Sequence, residues 1–379
     1  MTQETEPVKG FRDFSGEEAR KRAEIRKIIV ETFEQYGFEP AETPIIEREE
    51  FVRGENVNDE AVSDVFRLQD KGKRNLALRY EFTFQLKRLM RNKKLPYKRY
   101  QVGEVFRDEP ISANRFRQFT QCEVDIVGST IKDEAEILAT AKDILEKLGI
   151  KATIYFNNRK LLNEILKEQK IKDTIEVIRE IDKLDKLSEK EVQANLKKFG
   201  AEKILSIFKK PESYFKKYKS YQEIMELKKY CKMYNIEIKF LPSLARGLSY
   251  YDGTIFEIKS DIKESIFGGG SYTFNNVKSV GYGVSIERLA AVSKISPNKE
   301  KYLIISLGKD EESIKLANKI RSKNKITSVY YGKPSKALDY ANSYGFGKAV
   351  FVGEREVKAK KFKVRDMKTG KEKSLNFST

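Results

Sequence analysis

The sequence predicts an α+β protein: a largely antiparallel sheet core, interrupted by a helical insertion and followed by a C-terminal α/β domain. Three observations predict it. Two alternating runs, YQVGEVFRDEP (100–110) and FRQFTQCEVDIVG (116–128), flank the polar loop ISANR and read as antiparallel strands. Between 158 and 235 the period changes, with Leu and Ile recurring at three- and four-residue intervals among many Lys and Glu. After 300, strand and helix patterns alternate, as in a small α/β domain. At roughly 150 residues per domain the length fits two or three. The expected segments are a core at 1–157 and 236–298, the insertion at 158–235 and the last domain at 299–379.

Taken in order, residues 16–37 read as an amphipathic helix. Ile25, Ile29, Phe33 and Tyr36 recur at helical spacing, Ser15 is placed to cap the start and Gly37 ends the run. Pro44 in TPIIE disfavours helix and suits an extended edge or interface strand. Period two on the second long run puts Arg117, Phe119, Gln121, Glu123 and Asp125 on one face and Cys122, Val124 and Ile126 on the core side. The polar face needs partners. A bound ligand is one source, and ordinary cross-strand ion pairs on a solvated sheet face are another. Strand pattern returns at 236–258, then comes the glycine cluster FGGGSYTFNN and the run SVGYGVSIERLAAV, a strand that turns into a helix. The last domain reads as strand KYLIISLG, helix EESIKLANKIRSK, strand ITSVYYG, helix SKALDYANSYG and strand KAVFVGE.

Composition narrows the chemistry. The chain has no histidine, which excludes any mechanism resting on an imidazole base, shuttle or metal ligand. Its net charge is +18, and residues 301–379 carry 19 Lys and Arg against 8 Asp and Glu, so more than half the excess lies in the last fifth. A polyanionic partner for that domain is the expectation. Cys122 and Cys231 form neither a disulfide framework nor a metal-ligand spacing and fit a reducing cytosol. The polar start MTQETEPVKG has no apolar signal core, and no apolar run approaches the ~20 residues that span a bilayer, so a cytoplasmic protein without a membrane partner is expected.

No P-loop, GxSxG elbow, CxxC pair or dinucleotide fingerprint is present. What remains is a sheet-borne set of arginines and carboxylates: Arg79 and Glu81 on one strand face, with Arg107, Arg117, Gln121, Asp125, Arg246 and Arg288. Guanidinium forks suit phosphate oxygens, and carboxylates opposite them suit an ammonium group. Together they suggest activation of an amino acid by a nucleoside triphosphate. The stretch LARGLSYYDGTIFEI (244–258), with an arginine, two glycines, two adjacent tyrosines and a glutamate between apolar positions, has the composition of a pocket wall.

Those residues carry a resemblance. KGFRDFSGEEARKR, TPIIE, LALRYEFT, VFRDEPISANRFRQFTQCEVDIVG, LARGLSYYDGTIFEI and GYGVSIERL resemble, in order, the signatures of the histidyl-tRNA synthetases, a class II aminoacyl-tRNA synthetase family. IDKLDKLSEKEV and KALDYANSYGFGKAVFVGE are similar to its insertion and its C-terminal domain, so the resemblance covers nearly the whole chain.

The resemblance implies a class II antiparallel sheet catalytic core with a helical insertion and a C-terminal anticodon-binding domain. It implies that histidine is activated to histidyl-adenylate with ATP and Mg2+ and transferred to tRNA(His) by a C2 homodimer, with tRNA and not DNA as the nucleic acid. Arg107 would grip the α-phosphate, with Glu109 and Arg115 also at ATP, and Arg288 would hold the γ-phosphate. Arg246 would lie between the histidine carboxylate and the α-phosphate, stabilising charge there as the carboxylate attacks. Glu81, Thr83, Gln121 and Asp125 would hold the α-amine and its surroundings, and Tyr250, Tyr251 and Tyr272 would line the imidazole pocket. Tyrosine suits that ring, offering an aromatic face and a hydroxyl that donates or accepts. The helical insertion would approach the acceptor arm, the loop 108–115 the acceptor end, and the basic C-terminal domain the anticodon stem and loop. The resemblance names no protein ligands for the metal.

Several positions depart from the pattern. Ser249 stands where the family has aspartate, Ser271 and Thr273 replace the arginine and aspartate flanking its tyrosine, and Thr120 replaces a histidine or aromatic. Two other readings compete: a non-catalytic relative that senses histidine as a regulatory subunit, and a tRNA-binding module. The retained tyrosine signature and C-terminal domain speak against the first, and the retained Arg107 and Arg288 against the second.

Overall fold

A computed structural model of the chain describes residues 5–53, 64–247, 250–296 and 300–375. It divides into two compact units, Met1–Ile295 and Ser296–Thr379.

The first unit opens on α1 (Gly16–Gln35), whose Ile25, Ile29 and Phe33 are fully buried while Lys and Glu fill its outer face. Burying each such side chain contributes about 1.5–3 kcal/mol. Gly37 follows with φ +77°, a backbone conformation that ends the helix at little steric cost. Ser15 stands at the cap with extended backbone but makes no side-chain cap bond, so the expected N-cap is one of position only.

Four short strands come next: β1 (Glu39–Pro40), β2 (Ile46–Arg48), β3 (Arg67–Gln69) and β4 (Asn75–Leu78). β2, β4 and β3 form a three-stranded sheet with β2 at an edge, and Ile45 and Ile46 at its start are exposed. β5 (Tyr97–Phe106) and β6 (Gln118–Val127) are the two long alternating runs. With β7 (Thr153–Asn158), β8 (Ile238–Phe240), β9 (Tyr251–Lys259), β10 (Phe267–Phe274) and β11 (Val277–Ser285) they build an eight-stranded sheet in the order β1-β5-β6-β11-β10-β9-β7-β8. Its pairs are antiparallel except β1 with β5 and β7 with β8.

Cys122, Val124 and Ile126 enter the core as their period predicts, together with α1 and the helix Ile131–Lys147. The chain between β7 and β8 is helical among its described residues, from Arg159–Glu168 to Tyr221–Met233. A capping box of Ser188 and Glu191 starts the helix Glu189–Lys197. The apolar faces of this stretch, among them Leu161, Ile178, Leu196 and Leu227, join the same buried cluster as Phe156 and Ile258 of the sheet.

The second unit is a five-stranded sheet in the order β13-β12-β14-β15-β16. β12 (Lys301–Ser306), β13 (Ile326–Tyr331) and β14 (Lys348–Val352) are parallel, with helices Asp310–Arg321 and Pro334–Ser343 between them. Alternate residues of β12 feed two cores: Ile304 meets Leu316 and Ile320, and Leu303 and Ile305 meet Ala337 and Ala341. The antiparallel hairpin β15 (Phe362–Asp366) and β16 (Glu372–Leu375) extends the expected strand–helix alternation.

Candidate active site

One face of the large sheet supplies the site. β5 and β6 set Arg99 opposite Asp125, Gln101 opposite Glu123 and Gly103 opposite Gln121. β11 adds Gly281 beside Asp125 and Gly283 beside Glu123, and β9 and β10 bring Glu257 beside Gly268. Residues two apart share a face, so charged groups from three strands converge over a floor of glycines. A Cβ at Gly281 would collide with Asp125 Oδ1, and one at Gly268 would lie 2.6 Å from Arg246 Nη1. Only bare backbone lets those groups lie flat.

The polar face of β6 is not solvated: Gln121, Glu123 and Asp125 are 6%, 4% and 2% exposed. The main partner of Glu123 and Asp125 is Arg99, fully buried, whose Nη2 lies 2.8 Å from Glu123 Oε1 and 2.9 Å from Asp125 Oδ2. Thr83 donates to Glu123 at 3.2 Å, and Gln121 Nε2 donates to it at 2.5 Å. Glu81, 5% exposed, is a third buried carboxylate close to Glu123 and Asp125, with Arg107 as its nearby positive charge, and its Oε1 has no hydrogen-bond partner among the described residues. Burial, then the Glu123 charge, pushes the Glu81 carboxyl up to about 8. Burial also raises Asp125, against the pull of Arg99. An under-partnered acidic cluster out of water is suited to an ammonium group.

These shifts have a sign for stability. Carboxyls raised above their unfolded values bind more protons folded than unfolded. The unliganded protein therefore loses stability as pH rises from the usual carboxylate range through about 8.

Tyrosines wall this pocket. The Tyr250 and Tyr251 ring centroids are 4.6 Å apart, and Tyr250 meets Tyr272 edge-on at 5.6 Å. Tyr272 donates its hydroxyl to Asp125 Oδ1 at 2.5 Å, joining the aromatic wall to the acid cluster.

A second group is basic. Arg107 stacks over Tyr80 at 4.3 Å and donates to Gln121 Oε1 at 3.2 Å. Glu109 accepts from the Tyr80 hydroxyl at 3.1 Å and pairs with Arg115 at 3.3 Å. Arg288 donates to the Ser265 carbonyl at 2.9 Å. Burial, then the like charges of Arg107 and Arg115, lowers Arg288 to about 10. Cations this close are suited to an anion with several oxygens. Arg246 pairs with Glu257 at 2.6 Å, and its guanidinium lies 5.9 Å from the Tyr251 ring centroid. Burial alone would weaken its charge, yet Tyr251, Glu257 and Asp182 hold it protonated beyond the ordinary arginine range.

Some residues singled out from the sequence serve elsewhere. Arg79 lies beyond the end of β4 and not on a strand face with Glu81, and it donates to the carbonyls of Glu104 and Thr43 at 2.6 and 2.8 Å. Arg117 pairs with Asp108 at 3.1 Å. Thr120 joins a polar network with Arg22 and Glu104. Ser271 is fully buried against Gly253, Thr273 is exposed, and Ser249 lies outside the described residues. Conversely, Arg99 has no place in the sequence reading, and Glu123 and Glu257 stand there without a site role, one on the polar strand face and the other in the 244–258 stretch. Arg99 hides at the end of the basic run 91–99, and only its register opposite Asp125 reveals it.

A family profile described as histidyl-tRNA synthetase matches residues 10–289, and one described as anticodon binding domain matches residues 297–379. The chain is 34% identical to "Histidine--tRNA ligase 1" of Bacillus cereus over 99% of its own length and 96% of that protein's. A Nostoc crystal structure of histidyl-tRNA synthetase has the same fold, with TM-score 0.84 at 23% identity over 99% of this chain and 97% of that one. A Bacillus halodurans structure titled as an ATP phosphoribosyltransferase regulatory subunit/histidyl-tRNA synthetase also shares it, with TM-score 0.77 at 19% identity over 93% of this chain and 99% of that one.

Proposed function

The chain belongs to the histidyl-tRNA synthetase family, and from that premise we propose that it joins histidine to ATP as histidyl-adenylate and passes the histidyl group to tRNA(His). The observation that carries the reading is the adjacency, on one sheet face, of a buried acid–tyrosine pocket and converging arginines. The α-ammonium of histidine enters among Glu81, Gln121 and Asp125, with Thr83 and Arg99 fixing Glu123 beside them. Tyr250, Tyr251 and Tyr272 enclose the ring. ATP, as its magnesium complex, lies along Arg107, Glu109, Arg115 and Arg288, and magnesium comes with the substrate.

A histidine carboxylate oxygen then bonds to the α-phosphorus as the α–β phosphoanhydride bond breaks and pyrophosphate leaves. No proton needs removing, so no protein base is required, and a chain without histidine loses nothing by it. What the protein supplies is position and charge, with Arg246 and Arg107 facing the α-phosphate as negative charge builds.

The family also supports a C2 homodimer, and the exposed Ile45, Ile46 and Leu68 offer apolar surface for it. The basic second unit suits the anticodon arm of tRNA through phosphate contacts. A cytoplasmic setting is supported by two free, buried cysteines. Among the described residues no helix is long and apolar enough to cross a membrane. The non-catalytic histidine sensor is less supported, since Arg107, Arg246 and Arg288 all stand in the chain.

Histidine-dependent exchange of pyrophosphate into ATP tests the proposal. The folded protein with histidine and magnesium exchanges label; no exchange would reduce it to a binding protein. A second expectation follows from Glu81. In the empty pocket burial and the Glu123 charge bias its carboxyl toward the protonated form. An arriving ammonium favours the ionised form, so histidine binding releases protons. Calorimetry in buffers of different ionisation enthalpy reads this as a buffer-dependent heat, and a heat independent of buffer would refute it.

A further inference from the structure

The geometry points to Glu257, with Ser265 as its relay, as a positioning residue that sets the spacing between Arg246 and Arg288. This rests on the reaction proposed above and adds a residue that the reading of the sequence did not place in the site.

The chain of contacts is continuous. Glu257 Oε1 accepts from Arg246 Nη1 at 2.6 Å, and its Oε2 accepts from the Ser265 hydroxyl at 2.7 Å. The carbonyl of the same Ser265 accepts from Arg288 Nη1 at 2.9 Å. Two arginines assigned to different ends of the reacting triphosphate are thereby tied through one carboxylate and one serine. Lys259 lies 3.5 Å from Oε2, so both oxygens of Glu257 are engaged. Glu81 differs, since it keeps one oxygen without a hydrogen-bond partner among the described residues. A saturated carboxylate is suited to holding its neighbours rather than to receiving the substrate's ammonium.

The mounting draws on a paired strand and on a hydrogen-bonded turn. Glu257 sits within β9, paired on both sides by β7 and β10, and is 5% exposed. Directly opposite it is Gly268, where a Cβ would stand 2.6 Å from Arg246 Nη1, so the guanidinium lies across bare backbone and is gripped by Glu257. Ser265 belongs to the turn just before β10, and its neighbour Glu264 accepts from Ser112 and Asn114 at 2.9 and 3.3 Å. The turn therefore also fastens the loop 108–115. Electrostatic catalysis by Arg246 depends on its placement to a fraction of an ångström, which an unbraced arginine does not maintain.

The test is a double-mutant cycle read by single-turnover adenylate formation and by pyrophosphate exchange. Glu257→Gln keeps the shape and removes the charge. It is expected to lower the rate of adenylate formation at least 20-fold, with KM for histidine within about twofold. In an Arg246→Ala background the same change is expected to cost less than twofold, because the group it positions is gone. Ser265→Ala, which removes one hydroxyl and leaves every charge in place, is expected to cost three- to tenfold and to add nothing to Glu257→Gln. Equal losses from Glu257→Gln in both backgrounds would overturn the positioning role and leave a merely structural one. A raised magnesium requirement that persists in the Arg246→Ala background would overturn it in favour of a metal ligand. If Glu257→Gln does not fold, Ser265→Ala alone decides: a wild-type rate refutes the relay. Wild-type protein without exchange would instead sink the proposed function, before any variant is compared.

Discussion

Replacing Arg246 by alanine is expected to lower adenylate formation about 10²–10³-fold, the usual cost of losing one preorganised donor to a developing charge. Affinity for tRNA should stay within about twofold. Arg246 is held in place before substrate arrives, pinned by Glu257 at 2.6 Å and laid across Gly268. Its charge is maintained by Tyr251, Glu257 and Asp182. The variant loses a group whose interaction strengthens as the carboxylate attacks, so the deficit belongs in kcat more than in KM. Pyrophosphate exchange and a tRNA-binding titration on the same preparation check the expectation. Equal losses in both would mean that Arg246 supports the fold or the tRNA surface and does not face the reaction.

Replacing Arg99 by methionine is expected to destabilise the first unit by about 3–5 kcal/mol, the range for removing one partner of a buried ion pair. Arg99 is fully buried and faces Glu123 and Asp125 at once, so its loss strands two carboxylates in a dry sheet. The loss should depend on pH. Without the guanidinium the Asp125 carboxyl, already raised by burial, titrates higher still in the folded state, the folded chain binds more protons than the unfolded one, and stability falls as pH rises above the usual carboxylate range. Urea melts followed by circular dichroism at several pH values measure this. A deficit that is the same at pH 5 and pH 8 would contradict the electrostatic cause.

Where a segment of chain presents one environment per face, its sequence reads directly. β6 is the best case, since simple alternation separates Cys122, Val124 and Ile126 from Gln121, Glu123 and Asp125, and the structure buries both sets for different reasons. The regular α/β alternation after 300 is equally legible, because parallel strands buried on both sides stand out as apolar runs. The hairpin at 362–375 is not, since its strands are mostly charged and only one residue of β15, Val364, is buried. Arg99 and Glu257 were illegible for another reason. Each is a charged residue among others in the sequence, and what sets it apart is the residue across from it, Asp125 for one and Gly268 for the other. Register across a sheet is long-range information that a local pattern does not contain.

The glycine floor bears on how such a site could be redesigned. Backbone has no side chain to exchange, and at Gly281 or Gly268 the smallest addition strikes the very groups proposed to meet substrate. An engineer wishing to admit a different amino acid has no purchase from below. New selectivity would have to be carved from the walls, at Tyr250, Tyr251 or Tyr272, while the strands beneath are left untouched.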